Sequence, residues 1–274
     1  MMIGANFPDI DILSAFVGRT TEFRRGWTHG ILALVVLPFV LTGLMLLWAR
    51  YRKRRDSVVP KQLLLLATIS IWTHPTLDWM NSYGMRWLMP FDGTWFYGDS
   101  LFIVDPYLLV VLGAGVLLSR RLEQTGSPQP WRPARVAVAL SSAYIVTMLG
   151  LQHYAEGIAR RDLAGTGRAR ENLVVTAAPA NPLRWRVHAD DGSRYWTGNV
   201  GLGTRRLVLN TGTLDKGVDQ PAVASAVLNE SAKDFLDWAR LPFYRVSHTP
   251  NGTFVSITDA RYGASIVVPS TSPQ

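Results

Sequence analysis

Long apolar runs separated by short basic loops make up the first half of the chain. Residues 30–49 contain no charged side chain over 20 positions, which is about the length needed to cross the apolar core of a bilayer. Three further runs, residues 62–77, 101–118 and 136–151, are shorter, and each also fits a re-entrant segment or a buried core helix. The pattern predicts an α-helical membrane bundle of about four transmembrane helices over residues 1–151.

The second half of the chain has the pattern of a small soluble domain. A charged segment, residues 152–170, predicts a linker helix, and residues 171–274 alternate short β-type runs with turns. One helix is predicted at residues 222–240, where apolar side chains recur at helical spacing. The predicted strands are residues 173–177, 184–189, 194–197, 206–209, 243–247, 253–258 and 265–268. Strands, a helix and further strands together predict an α+β domain.

Basic residues predict the orientation of the bundle. Residues 50–61 contain six arginines and lysines and residues 119–135 contain four arginines, whereas residues 78–100 contain one arginine and three aspartates. The positive-inside bias places the two basic loops in the cytoplasm, although three arginines just before the first run oppose it. The amino terminus, the 78–100 loop and the C-terminal domain are then predicted to lie outside, and no cleavable signal peptide is expected.

Charge and composition narrow the chemistry. The net charge of +8 could indicate a nucleic-acid partner, but much of the excess lies in the two basic loops, so none is predicted. The chain has no cysteine, which excludes disulfides and thiolate metal sites. A bound metal must therefore be held by imidazole, carboxylate, carbonyl or water, and a set of imidazole and carboxylate suits zinc, manganese or magnesium.

Ionisable residues collect at the predicted outer ends of the first three runs. They are costly at membrane depth and usually face a cavity or a partner. His74 and Asp78 are four residues apart, so on a helix they share one face. The full set is Asp9, Asp11, His29, His74, Asp78, Asp99 and Asp105. This convergence predicts a shared metal site.

Each of these residues also has an ordinary structural interpretation. Asp11, Asp99 and Asp105 fit helix caps, and a single histidine at a helix end is usually interfacial or hydrogen-bonded. Arg24 and Arg25 fit contacts with lipid head groups. The tryptophans near the run ends, Trp95 among them, fit an aromatic belt at the membrane interface. His188 and His248 in the C-terminal domain are expected to be structural.

Several segments together resemble a known family. Residues 8–11, 24–30 and 73–84, extended by residues 86–91 and 95–99, resemble the YdjM-like family of bacterial inner-membrane metal-dependent hydrolases, also described as LexA-binding. The resemblance is strong over residues 3–118. Family members usually begin with a further helix that bears a Thr-His motif, so either the true start lies upstream or this copy has lost a ligand.

The resemblance implies a multi-pass inner-membrane protein with a divalent metal and a hydrolytic reaction. Carried over by position, the ligands are Asp9, Asp11, His29, His74 and Asp78. We expect a hydrolase at the outer face of the membrane, acting on a lipid-linked or phosphoester substrate among the membrane lipids. Asp78 and Arg25 are expected to be catalytic, with Arg24 or Arg25 meeting an anionic group.

Two other functions fit the same pattern. One is a non-catalytic binding or regulatory membrane protein that uses its outer domain for recognition. The other is a transporter, although four short spans without an internal repeat argue against it.

Overall fold

Among the described residues, six helical segments precede a region that is rich in β-strands. The sequence predicts this order of a helical part followed by a β-rich part. The computed structural model describes residues 2–17, 25–53, 58–164 and 172–270. The helical segments are α1 (Met2–Asn6), a 3-10 helix (Pro8–Val17), α2 (Ile31–Tyr51), α3 (Pro60–Met80), α4 (Pro106–Gln124) and α5 (Arg132–Ala164).

The seven predicted strands are all present and form two antiparallel sheets. They are β1 (Asn172–Ala178), β2 (Asn181–Asp190), β3 (Arg194–Gly201), β4 (Arg206–Asp215), β5 (Pro242–Thr249), β6 (Gly252–Asp259) and β7 (Ser265–Pro269). The first sheet has the order β1-β2-β3-β4 and the second has the order β5-β6-β7. Two short helices lie between the sheets, α6 (Pro221–Ala226) and α7 (Glu230–Trp238).

The prediction of a single helix at residues 222–240 is wrong, because the helix is interrupted between α6 and α7. The side chain of Asn229 accepts a hydrogen bond from the backbone nitrogen of Ser231 at 2.9 Å and so caps α7. Asparagine is among the best helix N-caps, and here it starts a second helix within an otherwise helical pattern.

The chain divides into two compact units. The first comprises Met1–Trp79, Tyr83–Tyr97 and Lys216–Gln274, and the second comprises Met80–Ser82 and Gly98–Asp215. The first unit thus holds α2, α3 and the second sheet, and the second unit holds α4, α5 and the first sheet. The predicted domains, residues 1–151, 152–170 and 171–274, remain a prediction from sequence, and the compact units group the chain in a different way.

Helices α2 and α3 pack on each other inside the first unit. Leu34 and Leu41 of α2 form a buried cluster with Ala67 and Ile71 of α3. The indole Nε1 of Trp72 donates to the carbonyl oxygen of Leu34 at 3.0 Å. Large apolar side chains cover the other faces of α2 and are exposed, as lipid-facing positions are. They include Val35, Phe39, Leu44, Leu47 and Trp48.

Among the described residues, two helices are long and apolar enough to cross a membrane, α2 and α5. Polar side chains in the last turns of α3, from Thr73 to Asp78, lower its hydropathy, and α4 carries Arg120, Arg121 and Glu123 near its end. Of the four transmembrane helices expected from the sequence, only α2 and α5 therefore meet this criterion of length and hydropathy.

Helix α5 is one continuous helix of 33 residues. The fourth apolar run and the first part of the predicted linker, residues 152–164, therefore belong to the same helix, which continues through Gly150 and Gly157. Its buried face continues through Gln152, Ala155 and Ile158, and α5 packs against the first sheet. The end of the predicted linker, residues 165–170, lies outside the described residues.

Asp105 caps helix α4, as its structural interpretation predicts. Its Oδ1 accepts hydrogen bonds from the backbone nitrogens of Tyr107 at 3.0 Å and Leu108 at 3.1 Å. Its Oδ2 accepts a hydrogen bond from the Tyr144 hydroxyl of α5 at 2.8 Å. Both carboxylate oxygens are thus used inside the second unit.

Helices α4 and α5 approach most closely at Gly115. A Cβ atom built there would overlap the Cβ of Ala137. We expect Gly115→Leu to destabilise the protein by about 1–3 kcal/mol, because the larger side chain must force the two helices apart. Thermal unfolding in detergent, followed by tryptophan fluorescence, measures the effect.

Gly113→Leu is the matched control for this substitution. Gly113 lies on the same helix with nothing within 4 Å of a built Cβ, so the same chemical change meets no neighbour. Equal unfolding temperatures for the two variants would contradict the close contact.

Candidate metal centre

Three segments of the first unit bring the site together. The 3-10 helix carries Asp9 and Asp11, the turn before α2 carries Arg25 and His29, and the last two turns of α3 carry His74 and Asp78. Because α2 starts at the site and α3 ends there, the site lies at one end of this helix pair.

Glycines shape the turn that presents His29. The backbone nitrogens of His29 and Gly30 both donate to the carbonyl oxygen of Gly26, at 3.1 and 2.7 Å. A Cβ at Gly30 would overlap the carbonyl oxygen of Met89, and a Cβ at Gly26 would lie 3.0–3.2 Å from the guanidinium of Arg86. The residues around the turn therefore leave no room for a side chain at either position.

Four side chains converge on one point. His74 Nε2 lies 3.3 Å from Asp9 Oδ1 and 3.3 Å from Asp78 Oδ2. His29 Nε2 lies 3.6 Å from Asp78 Oδ2 and 3.7 Å from Asp9 Oδ1. One donor atom from each residue lies within 4.8 Å of every other. An ion bound at about 2.0–2.1 Å to each of four tetrahedral ligands needs donors about 3.3–3.4 Å apart, so these separations fit a single ion.

Three of these donor atoms are buried without a hydrogen bond. They are Nε2 of His29, Nε2 of His74 and Oδ2 of Asp78. Buried polar atoms normally have a hydrogen bond, so three buried atoms that lack one and face one another make this group a candidate site for a cation. Imidazole with carboxylate is a donor set that zinc, manganese and other divalent ions accept. The residues present therefore fit a divalent metal.

Asp11 lies outside this group of four. Its Oδ2 is 3.4 Å from His29 Nδ1, on the opposite side of the ring from Nε2, and accepts a hydrogen bond from the Arg25 backbone nitrogen at 2.8 Å. The hydroxyl of Thr28 is also 3.0 Å from Nδ1. A carboxylate on the second ring nitrogen orients a metal-binding histidine and raises its basicity. In this position the Asp11 carboxylate is placed to orient the His29 ring.

Arg25 contacts the far oxygen of Asp78. Its Nη2 donates to Asp78 Oδ1 at 2.9 Å, and its Nη1 donates to the carbonyl oxygen of Gly84 at 3.3 Å. Arg25 has a left-handed backbone conformation, with φ of 53°, and its carbonyl oxygen accepts from the Arg86 nitrogen at 3.1 Å. The guanidinium thus contacts one oxygen of Asp78, while the other oxygen faces His29 and His74. Arg24 lies outside the described residues.

Asp9 lies on the side of the site that is open to solvent. Its side chain is 54% exposed, whereas the side chain of His29 is fully buried. The pKa of the Asp9 carboxyl lies below its usual range, chiefly because of the neighbouring His74 imidazole and against the opposing effect of burial. Asp9 is therefore an anion at neutral pH on the side that water can reach.

The other candidate residues are not members of this group. Asp99 and Asp105 belong to the second unit, where Asp105 caps α4. His248 is exposed on β5, with Nδ1 3.0 Å from the Thr253 hydroxyl, and His188 is buried in β2. Both histidines lie within strands, and their structural role stays a prediction.

Sequence reasoning missed the aromatic residues next to the site. The ring of Tyr83 lies 4.2 Å below the Arg25 guanidinium and 4.8 Å from the ring of Trp238. Trp95 was interpreted from sequence as part of an interface belt. Its ring centroid lies 6.4 Å from that of Tyr83 and 5.0 Å from the guanidinium carbon of Arg86. Nothing local in the sequence signals these contacts, because Trp238 is 155 positions away from Tyr83.

Comparison with known proteins gives one match. The family model described as YdjM inner membrane protein matches residues 1–158, which is more than half of the chain and includes every residue of the candidate centre. No curated protein and no solved structure shows significant similarity to the chain.

The placement of Asp11 gives a testable expectation. Asp11→Ala should weaken zinc binding by about 10–100-fold, because His29 loses the carboxylate that orients it. Competition with a chromophoric chelator in detergent measures the affinity. Asp92→Ala is the control, since the Asp92 side chain is exposed and accepts hydrogen bonds from the neighbouring Thr94. An equal affinity of the two variants would show that Asp11 has no such role.

Proposed function

The chain belongs to the YdjM inner membrane protein family, and on this premise we propose that it is a membrane-bound, metal-dependent hydrolase. The observation that carries the proposal is the convergence of Asp9, His29, His74 and Asp78, with three of their donor atoms buried and unpaired. These four residues would hold the ion.

A divalent ion held there would lower the pKa of a bound water and polarise the scissile group. The residues of the chain have separate parts in such a reaction. His29, His74 and Asp78 are mostly buried and would define the position of the ion, while the exposed carboxylate of Asp9 would complete the set on the side that water can reach. Arg25 would hold Asp78 through the hydrogen bond to Oδ1, and its expected contact with an anionic group stays a prediction.

A lipid-linked or phosphoester substrate fits the surroundings of the site. The centre lies at the end of the α2 and α3 pair, whose outer faces carry exposed apolar side chains suited to lipid. A site in this position is reached by the head group of a lipid in the same leaflet. A phosphoester would present anionic oxygens to the ion.

We also propose four spans, with the centre at the outer face of the inner membrane. Helices α3 and α4 expose large apolar residues along their lengths, among them Leu65, Ile69, Leu109, Val110 and Leu117. Such surfaces are unfavourable in water. The basic loops, residues 50–61 and 119–135, support a cytoplasmic location for the opposite ends of these helices.

The separations of the donor atoms favour one competing function. Four protein ligands at tetrahedral distances can complete the coordination sphere of a zinc ion, as in structural zinc sites. The centre would then stabilise a non-catalytic binding or regulatory protein with a recognition domain outside the membrane. A six-coordinate ion would keep about two positions free for water and substrate.

Metal content and turnover together test the proposal. We expect the purified protein to hold about one divalent ion, and His74→Ala and Asp78→Asn to lose it, because each substitution removes a donor atom. Turnover of bis-p-nitrophenyl phosphate and of a lipid phosphoester should fall by about 100-fold or more in the same variants.

His153→Ala is the control, because His153 is exposed on α5 and contacts its own helix through the Leu149 carbonyl oxygen. Unchanged metal content in His74→Ala would rule out the centre. Metal binding without turnover of any ester would favour the non-catalytic function.

Orientation is tested separately by cysteine labelling, since the natural chain has no cysteine. Gly93→Cys in the loop after α3 should react with a membrane-impermeant maleimide on intact spheroplasts, and Gln124→Cys at the end of α4 should react only after lysis. Both positions are exposed. The reverse pattern would place the centre at the cytoplasmic face.

A further inference from the structure

A side chain from the C-terminal part of the chain is connected to the metal centre through two others. The Nε1 of Trp238, the last residue of α7, donates to the Tyr83 carbonyl oxygen at 3.2 Å, and the two rings lie 4.8 Å apart. The Tyr83 ring lies 4.2 Å from the Arg25 guanidinium carbon, and Arg25 Nη2 binds Asp78 Oδ1 at 2.9 Å. These four residues form a continuous series of contacts.

We propose that Trp238 is a positioning residue of the metal centre, which holds Arg25 against Asp78 through Tyr83. The proposal rests on the proposed function, because it assigns a purpose to the orientation of Asp78. It also gives the C-terminal sheet of the first unit a part in the site, although this region lies beyond the residues that the family model matches.

The need for positioning follows from the chemistry of the Asp78 carboxylate. A free carboxylate can rotate and offer either oxygen or both. A guanidinium on Oδ1 selects Oδ2 for the ion, but an arginine side chain is long and loses much rotamer freedom when it is fixed. The Tyr83 ring restricts Arg25 through a cation–π contact on one face of the guanidinium. Tyr83 therefore adds to the contacts that hold Arg25 against Asp78.

Trp238 is itself held firmly. It is buried, and the guanidinium of Arg261 lies 5.0 Å from its ring while Arg261 Nη2 donates to its carbonyl oxygen at 3.2 Å. The ring of Tyr262 stacks on it at 6.0 Å. Arg261 forms a buried ion pair with Asp259 of β6, at 2.9 Å between Nη2 and Oδ2. Contacts that lead to the second sheet thus hold Trp238 in place, at the end of the series of contacts that is farthest from Asp78.

A purely structural role for Trp238 in the core makes a different prediction. Phe235 lies one turn earlier on α7, is equally buried in the same apolar cluster, and packs edge-to-face on Trp238 at 5.7 Å. Its truncation should disturb the core to a similar degree. Only Trp238 has the hydrogen bond and ring contact described above with Tyr83, so the two residues form a matched pair.

Cobalt(II) binding to the full-length protein in detergent is the test, because its visible spectrum reports ligand geometry without any substrate. We expect Trp238→Leu to lower cobalt affinity by about tenfold and to change the visible bands. This is the lower end of the loss of metal affinity that follows when residues supporting metal ligands are replaced. Phe235→Leu should leave the affinity and the bands unchanged. Trp238→Phe keeps a ring against Tyr83 and should restore most of the affinity.

A double-mutant cycle with Arg25→Gln tests the route of the effect. If Trp238 acts through Arg25, Trp238→Leu causes no further loss of affinity once Arg25 is replaced. Additive losses in the double variant, or equal losses for Trp238→Leu and Phe235→Leu, would overturn the inference. If Trp238→Leu does not yield folded protein, Tyr83→Leu replaces it in the cycle with the same expected outcomes.

The result for the wild-type protein separates this inference from the proposed function. No cobalt binding by the wild-type protein would overturn the metal centre and the inference together. Cobalt binding by the wild type, with no special effect of Trp238, would leave the centre in place and overturn the inference alone.

Discussion

The first unit depends on one constraint, which is that two imidazole nitrogens and two carboxylate oxygens face one another at 3.3–3.7 Å. Two carboxylates that face two imidazoles in a largely buried position need positive charge among them, which an imidazole proton or a bound cation can supply. Much of the surrounding structure serves to hold the donors in this arrangement. The Gly26 turn presents His29, the last turns of α3 present His74 and Asp78, and Arg25 and Asp11 bind the outer sides of two of the four residues.

How far the sequence predicts this arrangement differs from residue to residue. The pair His74 and Asp78 follows from helical spacing alone, since residues four apart share a face. Asp9 and His29 lie on other segments, and the predicted topology, which collects ionisable residues at one end of the bundle, joined them to the pair before the family resemblance did. Asp11 was predicted as a ligand from the same convergence and from the resemblance. In the structure the 3-10 helix places the side chains of Asp9 and Asp11 near different nitrogens of His29.

Long-range contacts explain most of what the sequence did not predict in the fold. Strand periodicity located all seven strands, because alternation is a local property. It could not assign the strands to two sheets in different units, since pairing depends on distant partners. The same limit applies to Trp238 and Tyr83, whose contact spans 155 positions. Helix α5 was divided in the prediction because its outer face changes from apolar to charged near residue 152, while its buried face continues.

The exposure of Asp9 bears on whether the centre is catalytic. A closed structural site gains stability when all of its ligands are shielded, whereas a catalytic site needs one position that water can reach. Here three donors are buried and the fourth belongs to a side chain that is about half exposed. Water could therefore approach an ion held there beside Asp9 without displacing the buried side chains. This asymmetry of the donor set supports the proposed hydrolysis over a purely structural metal.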